Sequence, residues 1–156
     1  MPTSAMHLFS PFIRLCARGL QARRENDPRG LLRPMYLLGY TDIVEPVPRE
    51  VRLFADAKGR CPFEIWLNGL RDLKARAIIR ERIARLMLGN FGDAKAVGEG
   101  VFEMRVAFGP GYRNYYAEDG KRIVVLLCGG SKRSQEADIG RARICWNEYK
   151  RLIGHA

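Results

Sequence analysis

Basic side chains occur where turns and strand ends would hold them in fixed geometry. Arg113 lies two residues after the turn residues 109–111, and Arg105 alternates with apolar residues before that turn. Lys132 and Arg133 stand between a long apolar run and a helix-like segment, where backbone N–H groups at a helix start would favour an anion. A planar guanidinium binds phosphate oxygens through parallel N–H bonds. The pattern therefore predicts contacts to phosphate.

Each of these cations has a less specific alternative. A single arginine in a hairpin is commonly just solvated, and a bare Lys–Arg pair is too. For Arg105 the alternative is a cross-strand salt bridge with Glu103 or Glu118.

Tyrosines surround Arg113. A strand over "YRNYY" would place Tyr112 and Tyr116 on one face, and Tyr115 on the other face with Arg113. Tyrosines on a basic sheet can stack unpaired bases, whereas packing in a half-buried strand is the alternative. Tyr112 is a candidate RNA contact, and Lys121 in the following turn is a candidate phosphate contact.

Histidine and cysteine give no metal or redox motif. Both histidines, His7 and His155, lie close to the chain ends, and the four cysteines are widely spaced with no C-x-x-C pair. We expect no cofactor and no metal, and we expect reduced thiols and a cytoplasmic location. No apolar run reaches the length of a membrane span, so no membrane partner is expected.

The chain has 156 residues and a formal net charge of +10, with 47% hydrophobic residues. That length predicts one domain, and that charge on a foldable chain predicts a polyanionic partner. Residues 1–48 are rich in proline and arginine without sustained periodicity, so we expect an extension that is poorly ordered or precedes the true start. The folded domain is expected over residues 49–153.

Periodicity within that domain predicts an α+β fold. "EVRLFA" (50–55) reads as a strand, and Pro62 begins a helix with an apolar stripe. "KARAIIRERIARLML" (74–88) forms a second helix that ends at Gly89. "VFEMRVAF" (101–108) alternates as a strand with one solvated side, carrying Glu103 and Arg105.

Two more strands and a helix complete the domain. "YRNYY" continues the sheet, and "RIVVLLC" (122–128), apolar on both faces, is expected as the central strand. Gly129 and Gly130 are expected to end it, and Ser134 is expected to cap the last helix.

Three segments together resemble a known family: "WLNGLRD", "LGNFGDAKAVGEGVFEMRVAFGPGYRNYY" and "LLCGGSKRSQEADIGRA". They are similar to the RelE/ParE superfamily of toxins from type II toxin–antitoxin systems, in particular to the HigB-like branch called addiction module killer proteins. The resemblance covers about residues 50–152. It implies an N-terminal strand, a helical hairpin, a curved three-stranded antiparallel sheet segment and a C-terminal helix.

The resemblance also implies an activity and a site. Ribosome-dependent endonucleases of the superfamily cut mRNA in the ribosomal A site, without a metal. Carried over by position, the turn arginine is Arg113, the second-strand cation is Arg105 and the basic pair is Lys132 and Arg133. A tyrosine that some members place early in the last helix has no match near Ile139, which leaves Tyr116 or Tyr115 as its replacement.

The implied function is that of a toxin that blocks translation until an antitoxin neutralises it. Expected partners are a HigA-like antitoxin with a helix-turn-helix domain, the ribosome and mRNA, with DNA reached only through the antitoxin. Two alternatives stay open, because members keep the fold while changing the target: a ParE-like non-catalytic inhibitor of DNA gyrase, and a decayed RNA-binding relative.

Overall fold

A computed structural model describes residues 47–154 as an α+β arrangement of one sheet and three α-helices. The strands are β1 (Glu50–Leu53), β2 (Ala94–Gly98), β3 (Val101–Val106), β4 (Tyr112–Asp119) and β5 (Ile123–Ser131). The helices are α1 (Pro62–Gly69), α2 (Leu73–Met87) and α3 (Gln135–Leu152), and a 3-10 turn at Lys132–Ser134 leads into α3. The predicted segment 1–48 lies outside the described residues except for its last two.

The five strands form one mixed sheet in the order β1-β5-β4-β3-β2. β1 runs parallel to β5, and the other neighbours are antiparallel. The predicted set of three antiparallel strands was one short, because β2 was missed. Strand β2 is only five residues long, and its register against β3 shifts between Ala96 and Gly98. A strand this short and irregular shows little alternation of apolar and polar residues. The middle strand is β4, and not β5 as predicted.

The helical hairpin α1–α2 covers one face of the sheet. Pro62 is the first residue of α1, as predicted. The Asp72 carboxylate accepts bonds from the backbone N–H groups of Lys74 and Ala75 and so starts α2. Gly89, at φ +84°, follows the end of α2. The predicted inner face of α2 is confirmed, since Ile79, Ile83 and Leu86 are buried against Met104 and Leu126 of the sheet.

Helix α3 covers the other face. Ala142, Cys145 and Trp146 pack there with residues of β3, β4 and β5. The prediction that β3 has a solvated side was therefore wrong: Glu103, expected on that side, is fully buried. Alternation assigns residues to two faces, but it does not report that a distant helix covers the second one.

The glycines at the end of β5 lie inside the strand, and not beyond it as predicted. A Cβ at Gly129 would overlap the ring of Trp66 in α1, and a Cβ at Gly130 would overlap the carboxylate of Asp138 in α3. The absent side chains thus let a helix approach on each face.

Two kinds of feature are absent from residues 47–154. No helix there is both long and apolar enough to cross a membrane. The same part of the chain brings no three His, Cys, Asp or Glu side chains together as a metal site would require.

Candidate polyanion-binding site

Arg105 and Arg113 lie side by side on the α3 face of the sheet. The antiparallel register of β3 and β4 pairs them directly, in a ladder that closes at the turn after Val106. Like charges directly opposite each other are destabilising in a sheet. The pair therefore needs a compensating anion in the protein, in a ligand, or in both.

Part of that compensation comes from Glu103, two residues before Arg105. Its Oε1 lies 3.3 Å from Nε of Arg105, 3.4 Å from Nε of Arg113 and 3.9 Å from Nζ of Lys95. The contact with Arg113 is an ion pair rather than a hydrogen bond, since that Nε has no partner in hydrogen-bonding geometry among the described residues. One buried carboxylate thus faces three cations.

The second oxygen of Glu103 is held by neutral donors. The hydroxyl of Tyr115 donates to Oε2 at 3.2 Å, and Nε2 of Gln135 donates at 2.7 Å. Burial first, and then the charge of Glu103, raises the pKa of Tyr115 well above its ordinary value. The phenol therefore stays protonated at neutral pH and acts as a donor.

Lys132 lies next to Arg113. Its backbone N–H donates to the carbonyl of Gly111 at 2.8 Å. A Cβ placed on Gly111 would lie 3.6 Å from Nη1 of Arg113 and 3.7 Å from Cβ of Lys132, so the two side chains flank that glycine. Lys132 and Arg133 are both exposed. The structure thus places the predicted 132–133 pair beside the turn that carries Arg113.

Tyr112 and Tyr116 lie on the opposite side of the sheet from these cations. Both are buried in the core beneath α1 and α2, where the Tyr116 ring stacks on Phe102 at 5.4 Å between centroids. Burial is the main cause that raises the pKa of Tyr116 to about 12. The geometry therefore does not support the predicted catalytic role of Tyr116 or the predicted RNA contact of Tyr112.

Lys121 lies at the other end of β4. It sits in the turn between Asp119 and Ile123, which pair with each other, whereas Arg113 pairs with Gly130. Asp119 lies six positions along the strand from Arg113, or roughly 20 Å at the rise of a β-strand. The predicted phosphate contact of Lys121 is therefore not part of the same cluster.

Sequence reasoning assigns no functional role to three members of the cluster: Lys95, Glu103 and Gln135. The contact of Lys95 could not be predicted because strand β2 was not predicted. The contact of Gln135 could not be predicted because Gln135 lies 32 residues from Glu103 along the chain. Glu103 was expected only as a salt-bridge partner of Arg105. A prediction that five residues connect Val106 to Tyr112 would have set the register of β3 against β4. That register pairs Arg105 with Arg113.

Fold and site define a small α+β protein with a cationic cluster on one sheet face, organised around a buried glutamate. The chain is similar to an uncharacterized protein of Haemophilus influenzae, with 46% identity over 86 residues that cover 55% of this chain and 87% of that protein. The chain belongs to the same family as that protein. No family model matches the sequence, and no solved structure matches it.

Proposed function

We propose that the chain is a RelE/ParE-like toxin of a type II toxin–antitoxin system that cleaves mRNA on the ribosome. The support from the fold is the element order: a strand, a helical hairpin, antiparallel strands and a C-terminal helix, as the resemblance implies. The support from the site is electrostatic. The fold is also compatible with other targets, so the site carries the proposal.

The observation that carries it is the registered pair Arg105–Arg113 with Lys95 and Lys132 nearby. A cleaved RNA phosphate passes through a crowded phosphorane whose negative charge needs cations already in place. Two arginines that the fold already holds together without a ligand meet that need. The free-energy cost of their mutual repulsion is offset when the protein folds, and not when RNA binds. The side chain of Arg105 is 37% exposed and that of Arg113 is 12% exposed, so Arg105 offers the more open edge.

The proton acceptor for the attacking 2′-hydroxyl is a separate matter. The raised pKa values of Tyr115 and Tyr116 disfavour a phenolate at neutral pH. The proposal therefore gives this role to a lysine of the cluster or to a group on the ribosome. The protein itself supplies charge stabilisation and orientation.

Substitution of Arg113 tests the proposal. Arg113→Ala is expected to lower the rate of transcript cleavage by about 100- to 1,000-fold, the usual cost of removing one preorganised donor to a transition-state charge. The measurement maps new transcript 5′ ends after brief induction, together with growth. Arg85→Ala is the matched control, because Arg85 is an exposed arginine on α2 that pairs only with the nearby Glu81 among the described residues; its cleavage is expected at the wild-type rate.

The assay separates this function from its competitors. Growth arrest without new 5′ ends, accompanied by loss of plasmid supercoiling, would replace the nuclease with a gyrase inhibitor. A well-folded wild-type chain that neither arrests growth nor cuts transcripts would leave an inactive RNA-binding relative. Full activity in folded Arg113→Ala would remove the proposed site.

A further inference from the structure

Glu103 is fully buried, and its carboxylate has five polar or charged partners. A buried carboxylate is costly unless both oxygens are satisfied. Here the two oxygens have different partners. Oε2 accepts bonds from the neutral donors Tyr115 and Gln135, and Oε1 faces the three cations.

The neutral donors fix where Oε1 lies. Tyr115 is fully buried and opposite Glu103 in the ladder, and Gln135 is the first residue of α3, so both approach from rigid elements. With Oε2 held on these elements, Oε1 is presented between Arg105 and Arg113. Each guanidinium meets it through Nε, while Nη1 of Arg105 lies 3.8 Å from the Asp93 carboxylate and Nη1 of Arg113 donates to the carbonyl of Tyr112 at 3.4 Å.

A purely stabilising ion pair does not need this arrangement. One arginine would neutralise one carboxylate, yet three cations converge on Glu103, and the nearby Asp93 is exposed and contacts only Arg105, at 3.8 Å, among the described residues. The cluster therefore keeps an excess of positive charge where the two arginines are forced together. That excess suits a second, external anion.

We propose that Glu103 is a positioning residue of the nuclease site, one that holds Arg105 and Arg113 in a common orientation for the scissile phosphate. This inference rests on the proposed function and deepens it: Glu103 does not bind RNA but sets the geometry of the groups that do. Its removal should damage cleavage while leaving attraction to RNA intact. A residue needed only for stability would show no such separation.

Glu103→Gln tests this, because glutamine keeps the shape of the side chain and removes its charge. Transcript cleavage is expected to fall by about tenfold to 100-fold, the cost of reacting groups misplaced by an ångström or less. Binding of a labelled single-stranded RNA oligonucleotide to the purified protein is expected to stay equal or become tighter, since one negative charge is lost beside the cations. Glu99→Gln is the control: it removes an exposed carboxylate paired with Arg143 and raises the net charge equally.

Each outcome decides between alternatives. Wild-type cleavage in folded Glu103→Gln overturns the positioning role while leaving the proposed function standing. Parallel loss of RNA binding and cleavage overturns it too, since Glu103 would then serve binding or the fold. An inert wild-type chain overturns both proposals.

A second pair of variants covers the case in which Glu103→Gln does not fold. Tyr115→Phe and Gln135→Ala each remove one donor to Oε2 and leave the carboxylate and the arginines in place. Each is expected to lower cleavage by about threefold to tenfold with RNA binding unchanged, as loss of one orienting hydrogen bond does. Wild-type cleavage in both variants overturns the proposal.

Discussion

Tyr115 and Tyr116 are neighbours in β4 whose side chains lie on opposite faces of the sheet. Tyr115 points to the α3 face and donates to Glu103, whereas Tyr116 lies in the core under the helical hairpin. The sequence offers either as the phenol of the site, and strand alternation predicts that only Tyr115 shares a face with Arg113. The structure confirms that placement, with Tyr116 on the opposite face.

Tyr116→Phe is expected to leave growth arrest and transcript cleavage unchanged and to alter only the alkaline stability of the fold. Burial raises the folded-state pKa of Tyr116 to about 12, above the value near 10 in an unfolded chain. The protonated phenol therefore contributes stability that is complete below about pH 10 and is lost as the pH rises toward 12. Between pH 9 and 11 the wild-type free energy of unfolding should fall by about 1 kcal/mol more than that of the variant.

Urea unfolding at the two pH values provides the measurement, and induction of the variant provides the functional control. Loss of cleavage in a folded Tyr116→Phe protein would return this phenol to the site. Equal pH dependence in the two proteins would contradict its burial.

Local pattern and the family resemblance together single out Arg105, Arg113 and the 132–133 pair as candidates, because a cation after a turn or between strand and helix is recognisable in the sequence. They did not identify Glu103 as the organiser. Its environment combines a strand partner, the edge strand β2 and the first residue of α3, and local spacing specifies none of these contacts.

At the scale of elements, the two glycines of β5 allow a helix to pack closely on each face of the sheet. Gly129 has an ordinary backbone conformation, so its absent side chain serves the approach of Trp66 and not a left-handed turn. The helices were predictable because local signals start or end them, such as Pro62 and Gly89. The continuation of β5 through Gly129 and Gly130, between two helices, was not predictable. Paired glycines are equally typical of a strand end.

Gly129→Ala is expected to destabilise the protein by about 1–3 kcal/mol or more, because the added methyl group overlaps the Trp66 ring. Gly140→Ala, in the interior of α3 with open space around it, is expected to stabilise by about 0.5–1 kcal/mol. Chemical unfolding of both variants measures whether the two substitutions change the free energy of unfolding in opposite directions.

A further variant assigns the cause. In a Trp66→Leu background the cost of Gly129→Ala should shrink, since the overlapping ring is gone. An unchanged cost in that background, or two glycine substitutions of equal effect, would contradict the close approach of α1 to β5.

At the scale of the whole molecule, part of the positive charge behind the formal net charge of +10 is gathered in one place. The cluster around Glu103 and the exposed pair Lys132 and Arg133 lie at one end of β4, and Lys121 lies at the other. Composition predicts a polyanionic partner, and the sheet topology brings several of the basic side chains together where such a partner could bind. Under the proposed function, an antitoxin that blocks this end would neutralise the toxin, either by pairing with the cations or by keeping the domain out of the ribosomal A site.

The last prediction concerns that antitoxin, which we expect to be encoded beside this gene and to rescue growth on co-expression. Association should slow as salt rises, because steering between exposed charges is screened over about 10 Å at 0.1 M salt. Lys132→Glu should slow association several-fold more than Lys121→Glu, since both lysines are exposed and only Lys132 lies beside the site. Stopped-flow mixing at low and high salt compares the two variants at equal net charge. Equal slowing would show that the antitoxin does not cover the Arg113 end, and the absence of any adjacent product that binds or rescues would remove the main support for a toxin–antitoxin pair.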